Sequence, residues 1–133
     1  MYLNLLNDRQ KEMFLSLAYQ LSHKDGTFGA EERDMIHSYC VEMGVDYREE
    51  VMLLPYETIV QELNEQNDDR AKRIFLFEVI GLAICDDDYS DREREWLYDF
   101  ANAISMSRDF CNQCGALICE YISFQNKVNN MIL

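Results

Sequence analysis

The chain has 133 residues, 48% of them hydrophobic and 28% charged, with one proline and five glycines. That composition suits one compact domain with a filled core and excludes a disordered or linker-rich protein. The formal net charge of -13 is spread along the chain: residues 1–66 hold 5 basic and 13 acidic side chains, residues 67–133 hold 7 and 12. Phosphate neutralisation needs clustered Lys and Arg, so direct nucleic-acid binding is not expected, and an anionic membrane surface is disfavoured. Positive partners fit instead, either a divalent cation or the basic surface of another protein. A solvated acidic surface that only keeps the protein soluble is the plainer alternative.

Apolar residues recur with helical spacing along almost the whole chain. Met13, Phe14, Leu17, Ala18 and Leu21 mark the inner face of a first helix over about 8–23. Met35, Ile36, Tyr39, Cys40 and Met43 mark a second over about 30–44, with Gly44 in a C-terminal stop position. A third follows Pro55, whose missing N–H costs nothing near a first turn. The run "DDRAKRIFLFEVIGLAIC" predicts a fourth helix over about 69–85. "SDREREWLYDFANAIS" predicts a fifth, with Ser90 as N-cap and Glu93 at the capping-box position. The sixth covers about 107–127. No segment alternates as a strand does, so the fold class is all-α.

A shift of 61 residues brings nine identical pairs into line over residues 7–45, among them Phe14/Phe75, Leu21/Leu82, Asp25/Asp86 and Glu32/Glu93. This predicts an internal repeat, about 7–45 and 68–106, in a single domain spanning 1–133. Each half is then a helix–loop–helix unit sharing one core with the other across a pseudo-two-fold.

Both halves carry an acidic loop, "SHKDGTFGAEER" and "ICDDDYSDRER". Neither is an EF-hand: with Asp25 at the fifth position and Glu32 at the twelfth, the first and third fall on Leu21 and His23, and a leucine cannot coordinate calcium. The pattern of apolar helix, Asp-Gly-x-aromatic-x-x-x-Glu and apolar helix, met twice, resembles the tellurite-resistance TerB family and its TerB-like relatives over residues 15–45 and 76–107. The chain departs from that pattern at Gly29 and Asp87. The resemblance implies an all-helical, duplicated domain of intracellular bacterial proteins associated with tellurite and other chemical stress, phage defence and membrane-linked complexes. It implies no enzyme. It also implies divalent-metal ligands in the loops, by position Asp25, Glu32, Asp86 and Glu93.

Those four acids admit three readings. Four converging carboxylates suit calcium or magnesium. Glu32 and Glu93 equally suit helix caps, since an acid in a first turn complements the helix dipole, with Arg33 and Arg94 adjacent to neutralise them. Contacts with a partner are the third. Cys111, Cys114 and Cys119 invite a zinc reading, but they fall in an apolar helical run without a fourth ligand and read as small core residues. His23 and His37 sit in no catalytic motif.

The start of the chain has no basic-then-apolar leader and no run long enough for a membrane span, so a cytoplasmic location is expected without membrane insertion. Together these readings predict a non-enzymatic binding module acting through its acidic surface in a stress or defence complex. The alternative is a small acidic inhibitor that masks a nucleic-acid-binding protein. The partner is a protein with a basic surface; a homodimer is also open.

Overall fold

The computed structural model describes residues 1–23, 30–84 and 90–133. Six α-helices and two short 3-10 turns make up the described secondary structure: α1 Asp8–Ser22, α2 Ala30–Met43, α3 Tyr56–Gln66, α4 Asp69–Ile84, α5 Asp91–Ala103 and α6 Arg108–Ile132. Strands are absent among the described residues. The turns, Leu3–Leu5 and Glu49–Val51, are too short to leave a periodic signature and went unread in the sequence. None of the described helices is long and apolar enough to cross a membrane.

α4 organises the rest. Eleven of its sixteen residues are buried, as expected of a helix that is apolar on nearly every side. It packs against α1, α5 and α6. At its centre the Phe75 ring meets Phe14 of α1 edge-on at 5.6 Å, and Phe14 meets Tyr39 of α2 in the same manner at 5.2 Å. Edge-to-face packing places the positive ring edge against the negative ring face. The Tyr39 hydroxyl donates to the Glu78 carbonyl, so the ring is buried without stranding its polar end.

Helix ends follow local chemistry. Asn7 caps α1 by accepting from the Gln10 N–H at 2.8 Å, and the Gln10 side chain accepts in return from the Asn7 N–H. Asp68 caps α4 by accepting from the Ala71 N–H at 3.1 Å. α2 stops at Gly44, whose φ of 70° is left-handed. There the Val45 N–H donates to the Cys40 carbonyl and the Gly44 N–H to the Val41 carbonyl, which satisfies two orphan carbonyls at the helix end. α5 stops in the same way: the Met106 N–H donates to Ala101 and the Ser105 N–H to Asn102, with Ser105 at φ 64°. A side chain in that conformation costs roughly 1–2 kcal/mol relative to glycine.

Three glycine-related variants test this. A Cβ at Gly44 would meet nothing within 4 Å, so Gly44→Ala should lose about 1 kcal/mol from backbone strain alone. Ser105→Gly should gain a similar amount by relieving the strain. Gly115→Ala, inside α6 with equally open space, should gain roughly 0.5–1 kcal/mol. Urea unfolding of the three proteins checks the signs.

Candidate functional site

The first turns of α2 and α5 bring the two described acids of the predicted site into view. Glu93 completes a reciprocal capping box. Its backbone N–H donates to Ser90 Oγ at 3.1 Å, while its Oε1 accepts from the Ser90 N–H at 3.4 Å and from Ser90 Oγ at 3.2 Å. Ser90 adopts the extended conformation that an N-cap requires. One carboxylate oxygen of Glu93 is thereby committed to the helix start. Glu32 lies half-buried in the first turn of α2, next to Glu31. Asp25 and Asp86 lie outside the described residues, so convergence of the four acids is not a feature of the described structure. Among the described residues, no group of three His, Cys, Asp or Glu side chains gathers as metal ligands would.

Both neighbouring arginines also engage other groups. Arg94 bonds Asp91 at 3.1 Å, one turn back on an exposed surface. Arg33 reaches toward Tyr47, whose hydroxyl donates to Glu49 at 2.7 Å. Burial and then the Glu49 carboxylate push the Tyr47 hydroxyl up to about 12, against the opposing pull of Arg33. His23 terminates α1, its Nδ1–H donating to the Tyr19 carbonyl at 2.7 Å while its ring rests on Tyr19. His37 stacks on Tyr47 at 3.8 Å. Both histidines have structural contacts that account for their positions.

The cysteine row divides. Cys111 and Cys114, three apart on α6, are buried, as is Cys40 on α2. Cys119 is exposed, contrary to its reading as a core residue: five positions beyond Cys114, it lies on a different side of the helix. Cys85 lies outside the described residues. Burial first, then the nearby Cys111, pushes the Cys114 thiol up to about 11. Burial likewise raises Cys111 and Cys40. A thiol held protonated is a poor nucleophile.

One feature escaped the sequence reading. Glu78, on the buried middle of α4 with its side chain only 7% exposed, accepts from the Met1 ammonium and from the Tyr2 N–H, each at 2.8 Å. Glu42 of α2 accepts from the same ammonium at 2.8 Å and from the Leu3 N–H at 3.3 Å. These bonds hold residues 1–3 across α2 and α4, at one end of a cleft of about 530 Å³ lined by Met35, Phe77, Leu117 and Tyr121. The signal was available: a lone acid inside "IFLFEVIGLAI" has to find a partner, because a buried unpaired charge is costly.

The chain matches no family model, no characterised protein and no solved structure.

Two measurements follow from this geometry. Glu93→Ala and Ser90→Ala should each cost roughly 0.5–2 kcal/mol, whereas Glu93→Gln should cost much less because Gln also completes a capping box. Chemical denaturation of the three variants distinguishes a capping role from a purely electrostatic one.

The Met1 ammonium has a further pH signature. Burial alone would lower its pKa, but hydrogen bonds and charge from Glu42 and Glu78 raise it above the ordinary 8.0. A raised folded value means that the stabilisation is complete below pH 8.0 and is lost as pH rises through that higher value. The stability gap between wild type and Glu78→Gln should therefore be widest near neutrality and shrink in strongly alkaline buffer. Denaturant midpoints across that range measure it.

Proposed function

We propose that this chain is a TerB-like, non-enzymatic binding module that works in the cytoplasm through its acidic surface, with a basic protein partner and a divalent cation at its paired loops. The observation that carries the reading is a correspondence at a spacing of 61 residues. Asn7 and Asp68 cap α1 and α4; Gly44 and Ser105 close α2 and α5 with the same pair of backbone bonds; Phe14 and Phe75 meet at the centre. Equivalent residues in contact are what a pseudo-two-fold places on its axis, which supports the duplicated helix–loop–helix halves. Each half then presents an acidic helix start, Glu31 and Glu32 on α2, Asp91 and Glu93 on α5.

In this reading Asp25 and Asp86 provide the loop carboxylates, and Glu32 and Glu93 support the two loops from the first turns of α2 and α5. Calcium or magnesium is the natural occupant, since oxygen-only ligands favour hard cations. A cation that binds only the folded state stabilises it by about 2.7 kcal/mol at a hundredfold excess over Kd. Thermal melts of wild type should thus rise with either ion, and the Asp25→Asn/Asp86→Asn double variant should lose that rise. A wild-type melt unmoved by both ions would leave the acids as caps only. For the partner, immobilised protein should retain basic proteins in a salt-sensitive manner. A nucleic-acid enzyme that is both retained and inhibited would move the assignment to an acidic inhibitor.

A further inference from the structure

α6 is longer than the core it covers. Its 25 residues span about 37 Å at 1.5 Å per residue, but the inward side chains Cys111, Cys114 and Ile118 occupy only its first half. A second row, Leu117, Tyr121, Phe124, Val128 and Met131, advances in alternating steps of four and three. A mean spacing of 3.5 residues is that of a two-helix seam. The row is largely uncovered: Leu117 is 59% exposed, Phe124 63% and Met131 80%. Contiguous exposed apolar surface on a soluble protein marks an interaction site.

Charge identifies the occupant. The whole chain carries -13, yet residues 110–133 contain only Glu120 and Lys127 and are formally neutral. Two copies meeting elsewhere would oppose like charges; meeting through this helix they would not. Glu120 and Lys127 each immediately precede a seam residue, Tyr121 and Val128, so both lie on the same edge of the row and flank Phe124. In an antiparallel pair crossing at Phe124, Leu117 faces Met131, Tyr121 faces Val128, and Glu120 faces Lys127. The two-fold makes each contact twice. A parallel pair in register would instead face Glu120 with Gln125 and Lys127 with Ile132 of the second copy, leaving both charges without an opposite partner across the seam.

We propose that α6 is a homodimerisation helix, pairing antiparallel with a second copy about Phe124. Leu117 and Tyr121 also line the cleft beside α2 and α4, so the partner helix brings its Met131 end to the mouth of that cleft. The proposal is independent of the cation and of the TerB-like reading.

Sedimentation of the full chain at micromolar concentration tests it. The wild type should run at twice its 15.8 kDa, and Phe124→Glu should run as a monomer with unchanged helical circular dichroism. Glu120→Lys and Lys127→Glu should each weaken the dimer about tenfold, equivalent to about 1.4 kcal/mol, and the double exchange should restore it. A wild-type monomer throughout the range overturns the proposal, including one that captures a foreign helix through Phe124. So does a dimer that survives Phe124→Glu. Single charge reversals without effect overturn the antiparallel arrangement.

Discussion

Burial of α4 on nearly all sides is the constraint from which the rest of the structure follows. A helix with Ile74, Phe75, Leu76, Val79, Ile80, Leu82 and Ala83 all removed from water cannot rest against a single neighbour. α1 covers one flank, α5 and α6 others, and the Leu3–Leu5 turn is drawn in over the α2 side with Leu3 fully buried. Burying a Leu, Ile or Phe side chain is worth about 1.5–3 kcal/mol each, so the enclosure of α4 is a large apolar contribution to the fold. The charged groups are then left to the outer faces of the surrounding helices, where the excess of acids is solvated.

This arrangement explains why polar chemistry is concentrated at helix ends. Among the described residues buried polar groups are few: Ser16 and Ser22 bond carbonyls one turn back, Gln10 joins its cap to Gln66 of α3, and Glu78 accepts from residues 1 and 2. α3 is secured at its margins by the Arg9–Glu62 pair and by Asn64 donating to the Ala103 carbonyl. Such exposed ion pairs add little to stability; they fix where α3 lies. Side-chain oxygens at positions 7, 68, 90 and 107 accept from helix-start amides, so each of these four helices begins at a residue selected for that purpose.

Much of this was legible in the residues themselves. Gly44 and the Ser90–Glu93 pair announced their helix ends because capping is local chemistry, readable from three or four neighbouring side chains. Pro55 lies one position earlier than a first-turn residue, as the N-cap itself, a difference that its fixed φ permits in either place. α6 runs past the expected end at 127 to Ile132, because Asn129 and Asn130 interrupt the composition without interrupting the helical period carried by Val128 and Met131. Cys119 was misread since a cysteine's chemistry says nothing about which side of a helix it occupies. That Glu78 needs a partner was legible from its apolar surroundings, but which partner was not, because the groups it binds lie more than seventy residues away. The predicted four-acid site divides in the same manner: the cap at Glu93 is local, while any meeting of Asp25 with Asp86 is a matter of tertiary placement.

The bonds from residues 1 and 2 to Glu78 have a consequence for the order of folding. They close a sequence separation of 77 residues, and neither carboxylate is in place until α2 and α4 have docked. Loop closure of this length is entropically unfavourable until other contacts have shortened the path, so the segment joins a core already assembled. By the same reasoning it leaves first. In native-state hydrogen exchange the Tyr2 amide reports a small local opening, whereas amides in the middle of α4 exchange only when the whole core comes apart. The first turn of the chain is thus a separate cooperative unit, tied to the rest by two carboxylates.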